Sequence, residues 1–140
     1  MAEVLPPDDR WVRSMLFVEQ LPRCDLQPGL AARVPVDIAP DQEGMVRPAP
    51  EDREKGDGLS VARHYRFLPP NLVPTRLGGK ARLPVEVFQL QPSDVNEPLS
   101  FRPDKRNNPR HAVIEPSALM LLAAFQDAIC ATALHWERLP

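Results

Sequence analysis

Eighteen of the 140 residues are proline, more than twice the usual level of about 5%, and no other feature restricts the fold as much. Proline fixes φ, lacks an N–H and biases the residue before it toward extended geometry. Pro6, Pro7, Pro22, Pro28, Pro35, Pro40, Pro48 and Pro50 therefore leave room only for strands, short turns and ordered loops in the first third. Long uninterrupted helices are excluded through much of the chain.

A chain of this length can remove roughly 68% of its unfolded surface from water, enough for one core but not two. One domain over residues 1–140 is expected, with 22–57 as a proline-rich irregular segment inside it. The sequence is 43% hydrophobic and 26% charged, an ordinary balance for a folded protein. Its 17 basic and 19 acidic residues leave a net charge of −2, which gives the surface as a whole little pull toward nucleic acid or acidic membranes. Cys24 and Cys130 are far apart in sequence and have no C-x-x-C spacing, so neither a zinc knuckle nor a disulfide framework is signalled. The expectation is a protein of a reducing, cytoplasmic compartment. The acidic, proline-bearing start lacks the basic and apolar regions of a Sec-type signal, and the apolar run from Ala118 to Phe125 is too short to span a bilayer.

Periodicity supplies the elements. Trp11 to Val18 reads as a strand with Trp11, Arg13, Met15 and Phe17 on one face. Ala32–Ile38, Leu59–Ala62, Leu83–Leu90, Leu99–Phe101 and His111–Ile114 are further strand candidates, and Ser93–Asn96 suits one helical turn. In Leu59–Ala62 the alternation sets Ser60 opposite Leu59 and Val61. In the last strand it sets His111, Val113 and Glu115 together. One long helix is predicted from Ser117 to about Arg138, since Ala118, Leu122, Phe125, Ile129, Thr132 and Trp136 recur in steps of three and four. Pro116 would open it, with Glu115 at the positive end of its dipole. The pattern is α+β: a small mixed sheet of short strands with one C-terminal packing helix.

No nucleophile elbow, zincin motif, Walker loop or dinucleotide fingerprint occurs. Polar residues on apolar strands remain. Arg13 suits bidentate contact with a phosphate, or it snorkels from a strand end. Ser60 suits donation to a ligand, or bonding to a nearby backbone group. His111 follows a cation-rich loop, Arg102–Arg110, that favours its neutral, donating and accepting form. That loop could hold phosphate or simply be solvated. In His64-Tyr65-Arg66-Phe67 two aromatics beside two basic groups suit stacking on a base, or core packing on an edge strand.

The order of segments carries a resemblance. An arginine on the first strand, Asp57-Gly58-Leu59-Ser60-Val61, Asp94-Val95-Asn96 and Asn108-Pro109-Arg110-His111-Ala112-Val113-Ile114 precede a terminal helix. In this the chain resembles the small ADP-ribosyltransferase-like toxins of bacteria, in particular a type VI secretion effector toxin family and its uncharacterised relatives. The likeness covers roughly residues 56–130, with a weaker echo at 11–17. It implies an ADP-ribosyltransferase-like α/β core, a toxin acting in the bacterial cytoplasm, and NAD or a related nucleotide as ligand, with no metal. It implies that Arg13 contacts phosphate or ribose, Ser60 lines the nicotinamide side and His111 orients the ligand or a reacting hydroxyl, with Ser60 and His111 as the catalytic candidates. A cognate antitoxin or immunity protein would be the partner, and delivery by a non-Sec, contact-dependent machine fits the missing leader. The chain departs from that pattern in having no E-x-E or Q-x-E loop. Glu115, Glu97 and Glu86 are the carboxylates left to stand in. The competing expectation is a non-enzymatic interaction module of a toxin–antitoxin or phage-defence locus, docking through residues 22–57.

Overall fold

The computed structural model describes residues 10–25, 28–30, 38, 40–48, 58–103 and 110–140. Its strands are β1 (Trp11–Met15), β2 (Phe17–Val18), β3 (Leu21–Pro22), β4 (Met45–Val46), β5 (Leu59–Ala62), β6 (Glu86–Leu90), β7 (Leu99–Pro103), β8 (His111–Pro116), β9 (Met120–Leu121) and β10 (Glu137–Arg138). Six of them form one antiparallel sheet in the order β10-β6-β1-β5-β8-β7. Two-stranded pairs β2–β3 and β4–β9 flank it. The one α-helix among the described residues, α1 (Leu122–Ala131), continues into a 3₁₀ turn at Thr132–His135. The protein is thus α+β with an antiparallel sheet and one C-terminal helix.

Period two assigns the two faces of the sheet, because directly paired residues share a side. One face carries Trp11, Met15, Leu59, Val61, Phe88, Leu90, Leu99, Ala112 and Ile114, and it packs on Phe125, Ile129 and Trp136 with Leu30, Ile38 and Val46. This face is concave. Trp11 on β1 and Phe101 on β7 stand three strand spacings apart, about 14 Å on a flat sheet. Their rings nevertheless meet edge to face at 5.2 Å. The opposite, convex face is smaller in its apolar content: Val12, Ala62 and Val87 pack under Tyr65, Phe67, Leu68, Leu77 and Leu139. The 3₁₀ turns at Tyr65–Phe67 and Thr75–Leu77 bring that cover across the sheet.

Several expectations meet corrections here. The strand expected over 11–18 divides at Leu16, whose N–H bonds the Pro28 carbonyl at 2.7 Å and whose carbonyl accepts from Arg23 N–H. The long helix is shorter than its stripe suggested. Phe125, Ile129, Thr132 and Trp136 are buried as the stripe required, but Ala118 is exposed and the chain enters α1 only at Leu122. Pro116 is not a helix start. It ends β8, opposite Leu99, so Glu115 lies in a strand and has no helix dipole to serve. His64–Phe67 is a 3₁₀ turn with a histidine cap, not an edge strand. Trp136 donates its indole N–H to Thr132 Oγ1 at 3.0 Å, and that hydroxyl donates to the Ile129 carbonyl at 2.6 Å. The C-terminal turn is thereby tied before β10 rejoins the sheet. The candidate strand at 32–38 lies outside the described residues except for Ile38, which is buried in the main core.

Candidate functional site

The three residues expected round one cleft separate onto two faces. Ser60 pairs with Val113 and His111 with Ala62, so both point to the convex side as diagonal neighbours, a relation that sets them about 7–8 Å apart. Arg13 pairs with Phe88 and belongs to the concave side. Its job there is visible. Strands β1 and β5 share only the pair Val12 and Ala62 before they diverge. Arg13 fills that opening, donating Nε–H to the Gly29 carbonyl at 3.0 Å and an Nη–H to the Ser60 carbonyl at 2.8 Å. A fixed, planar donor fork suits such bridging between carbonyls as well as it suits a phosphate. The structure brings Ser60 and His111 together and gives Arg13 to the main chain.

Glu115 shares the convex face with His111 and Ser60 but is four residues along β8 from His111, about 13 Å at ~3.3 Å per residue. It is buried and accepts from Arg102 Nε at 2.9 Å. Gly58, which precedes β5, lies tight against β8. A Cβ on Gly58 would stand 2.2 Å from Val113 Cγ1 and 2.9 Å from the Ile114 carbonyl oxygen. Glu86 faces the other way. Burial pushes its carboxyl up, yet the hydrogen bonds and charge of Arg76, joined by Arg138, hold it below the ordinary carboxylate range. Glu97 accepts from the Ser117 hydroxyl. Each of the three carboxylates is committed to a neighbour away from His111.

Chemistry of a different kind gathers at the end of the sheet where β1 and β8 begin and β5 ends. The ladder continues one step past Ala62 and His111, since Arg63 N–H bonds the Arg110 carbonyl at 2.8 Å. This register stacks Arg10, Arg63 and Arg110 along one rim, with Arg66 just beyond. Arg63 lies over the Trp11 ring at 5.6 Å and donates to the Arg10 carbonyl at 2.6 Å. Arg110 lies over the Phe67 ring at 4.8 Å. His64 stacks on Tyr65 at 4.3 Å with 32° between the rings and meets Phe67 at 6.2 Å. Its Nδ1 accepts from Arg66 N–H at 3.1 Å, which fixes the ring against the turn. Acidic side chains also stand near this rim: Glu137 lies 3.9 Å from Arg10, and Asp94 borders a concavity that Arg10 shares.

Sequence reading had the parts of this rim but not their union. It singled out His64–Phe67 and the loop Arg102–Arg110 as separate segments; residues 104–109 lie outside the described residues. Arg10 and Arg63 were missed altogether. The signal that finds them is positional: a basic residue immediately before one strand and immediately after its antiparallel neighbour must come to the same rim.

Two other concavities lie nearby. One, of about 590 Å³, has Trp11, Val95, Leu99 and Phe101 as its apolar wall and Asn96, Glu97 and Ser100 at its polar side. The other, of about 190 Å³, is bordered by Arg10, Asp94, His135 and Glu137. Among the described residues no cluster of three His, Cys, Asp or Glu side chains suits a metal ion, and no helix is long and apolar enough to cross a membrane. Comparison with family models, with curated proteins and with solved structures finds no match to this chain.

Proposed function

We propose that the protein binds NAD or a related nucleotide at the basic, aromatic rim formed by Arg63, His64, Tyr65, Phe67, Arg110 and His111. The observation that carries this reading is the seating of Arg110 over Phe67 beside the His64–Tyr65 stack. Aromatic faces take a base, guanidinium groups take phosphate oxygens, and the two kinds of group alternate here within one side chain's reach. His111 sits on the convex face next to this cluster, where it can hydrogen-bond a ribose hydroxyl. Arg13 has no part in the site so defined. A toxin of the ADP-ribosyltransferase-like kind, acting in the bacterial cytoplasm, is the catalytic form of the same reading. Loss of nicotinamide leaves an oxocarbenium-like centre that calls for a nearby carboxylate, worth several kcal/mol, and Glu115 is about 13 Å along the strand from His111. Binding is therefore the primary claim.

Titration calorimetry with NAD and with ADP tests it. Saturable binding is expected, weakened at least about tenfold in Arg110→Ala, the loss of ~1.4 kcal/mol that one charge-assisted contact supplies. Arg110 and Arg66 are both exposed, so replacing them leaves the core alone. Folded protein that binds neither nucleotide, or that binds them equally well after both substitutions, overturns the assignment. The second reading, an interaction module with a cognate antitoxin or immunity protein, draws support from apolar side chains left in solvent, Leu134 at 79% exposure above all. It expects a stable complex in which Leu134→Glu abolishes association while nucleotides have no effect.

A further inference from the structure

Among the described residues β7 is an outermost strand of the sheet, and the register settles which of its main-chain groups face outward. Ser117 N–H bonds the Pro98 carbonyl at 2.9 Å, one step before the pair Leu99 and Pro116. Bonded and non-bonded pairs alternate along an antiparallel ladder. Ser100 and Arg102 therefore turn their N–H and carbonyl groups to β8, while Leu99, Phe101 and Pro103 turn theirs away. The other side of β8 agrees. Arg63 N–H on the Arg110 carbonyl makes Ala112 and Ile114 the bonded partners of β5, which leaves Val113 and Glu115 to bond β7. Leu99 N–H is taken by the Asn96 carbonyl at 2.8 Å, and Pro103 has no N–H. The edge thus offers the Phe101 N–H and the carbonyls of Leu99, Phe101 and Pro103, which meet no main-chain partner among the described residues.

We propose that this edge binds an extended peptide of a partner protein, added antiparallel to β7. One aromatic or large aliphatic residue of the peptide sits in the neighbouring cavity, and a lysine or arginine follows two positions later. The cavity of about 590 Å³ lies at this edge, walled by Trp11, Val95, Leu99 and Phe101. A residue paired with Phe101 shares its concave side, so its side chain enters there. The residue two positions on stands across Leu99, next to Asn96 and Glu97. Glu97 is the charged side chain on the cavity wall, and it attracts a cation.

The edge is richer in acceptors than in donors, and that decides the occupant. A peptide residue opposite Phe101 gives one hydrogen bond and takes one. The residues two before and two after it donate to the Pro103 and Leu99 carbonyls, so the peptide supplies most of the donors. A second copy of the chain paired about Phe101 keeps only the reciprocal bonds at Phe101. It would bring Pro103, which has no N–H, to the Leu99 carbonyl, and the committed Leu99 N–H to the Pro103 carbonyl. Prolines on edge strands block pairing of this kind, and here they leave the edge open to a strand with N–H groups at alternate positions. Neither the nucleotide-binding rim nor Leu134 takes part, so the site stands apart from both functional readings.

The probe is the peptide acetyl-Thr-Val-Thr-Phe-Thr-Lys-Thr-amide, titrated into the full chain with amide hydrogen exchange followed by NMR. Saturable binding is expected, with exchange of the Phe101 amide slowed at least about tenfold, whereas the Ser100 and Arg102 amides, bonded to β8, are protected with or without peptide. Methylating the phenylalanine nitrogen of the peptide should weaken binding at least about tenfold. Methylating the nitrogen of the threonine before it, which faces away from β7, should change binding by less than about threefold. Glu97→Lys should weaken this peptide by about 3–10-fold and favour one with glutamate in place of lysine. Folded protein that does not bind the peptide would overturn the proposal. Binding indifferent to methylation at the phenylalanine would reduce the site to a side-chain pocket and overturn strand addition. A chain that dimerises through β7, with the peptide dispersing the dimer, would give the edge to a second copy instead.

Discussion

Replacing Glu86 with glutamine should unfasten the C-terminal strand, and the structure sets how much that is worth. Glu86 is 7% exposed at the start of β6. Arg76 reaches it from the Thr75–Leu77 turn with Nε at 3.0 Å and an Nη at 2.8 Å from Oε2, while Arg138 on β10 donates to Oε1 at 2.9 Å. Arg76 also donates to the Leu139 carbonyl, so one carboxylate gathers β6, the turn and the chain end. Losing one partner of a fully buried ion pair costs about 3–5 kcal/mol, but here the arginine side chains remain 36% and 40% exposed and water can resolvate them. Glutamine also keeps one accepting oxygen while turning an amide donor toward a guanidinium. A loss of about 2–3 kcal/mol at neutral pH follows, or roughly 7–10 °C in melting temperature for a domain of this size.

The charge origin of that loss gives it a pH signature. The folded carboxyl lies below its ordinary range because the bonds and charges of Arg76 and Arg138 outweigh the opposing effect of burial. A depressed folded pKa stabilises fully above the unfolded value of about 4.3 and loses that contribution as pH falls through the folded value. The difference between wild type and Glu86→Gln should therefore be constant from neutral pH to about 5 and shrink below it, other carboxylates cancelling in the subtraction. Urea unfolding of both proteins at pH 7 and near pH 3 measures the two gaps. Equal gaps would refute an electrostatic clamp and point to packing; no gap at pH 7 would refute the clamp's contribution altogether.

Two further substitutions probe the sheet itself. Gly58→Ala should destabilise by about 1–3 kcal/mol through overpacking, because its Cβ would meet Val113 Cγ1 at 2.2 Å; an alanine that stabilises, as the lower entropy of the unfolded chain would otherwise dictate, would refute the close approach of β5 to β8. Ser14→Ala should leave stability unchanged or raise it by up to about 1 kcal/mol, since the Ser14 hydroxyl is buried at 3% exposure with no hydrogen-bond partner and removing it relieves a desolvation penalty. A clear loss in chemical denaturation of Ser14→Ala would mean that this hydroxyl is satisfied in solution.

What the sequence disclosed depended on whether a signal was local. The alternation in Leu59–Ala62 and His111–Ile114 set the facing of Ser60, His111 and Glu115 correctly, because a strand's sidedness follows from its own residues. The apolar steps Phe125, Ile129 and Trp136 likewise marked the packing stripe of the C-terminal segment. Helix length was not legible there: the same spacing suits a helix, a 3₁₀ turn and a buried tryptophan in succession, and the start is decided by the pairing of β9 with β4, contacts between residues 74 and 76 positions apart. Pro116 shows the same ambiguity, since a proline that opens a helix and one that ends a strand look alike without the partner strand.

The candidate site was harder to read because it depends on strand order. Arg13 and Ser60 looked like members of one cleft, and their atoms do meet, but through the Ser60 main-chain carbonyl, while the serine side chain points to the face opposite Arg13. Only the single-pair ladder between β1 and β5 reveals why an arginine is there. Conversely, Arg10 and Arg63 are unremarked in sequence and Arg110 stands out only as part of a basic loop, because each flanks a different strand, and it is the antiparallel register that lines them up beside Phe67 and His64. Composition had counted a nearly neutral chain with no strong partner. The fold sorts those charges, collecting arginines with aromatics at one end of the sheet while the buried Glu86 and Glu115 take their own arginines toward the other.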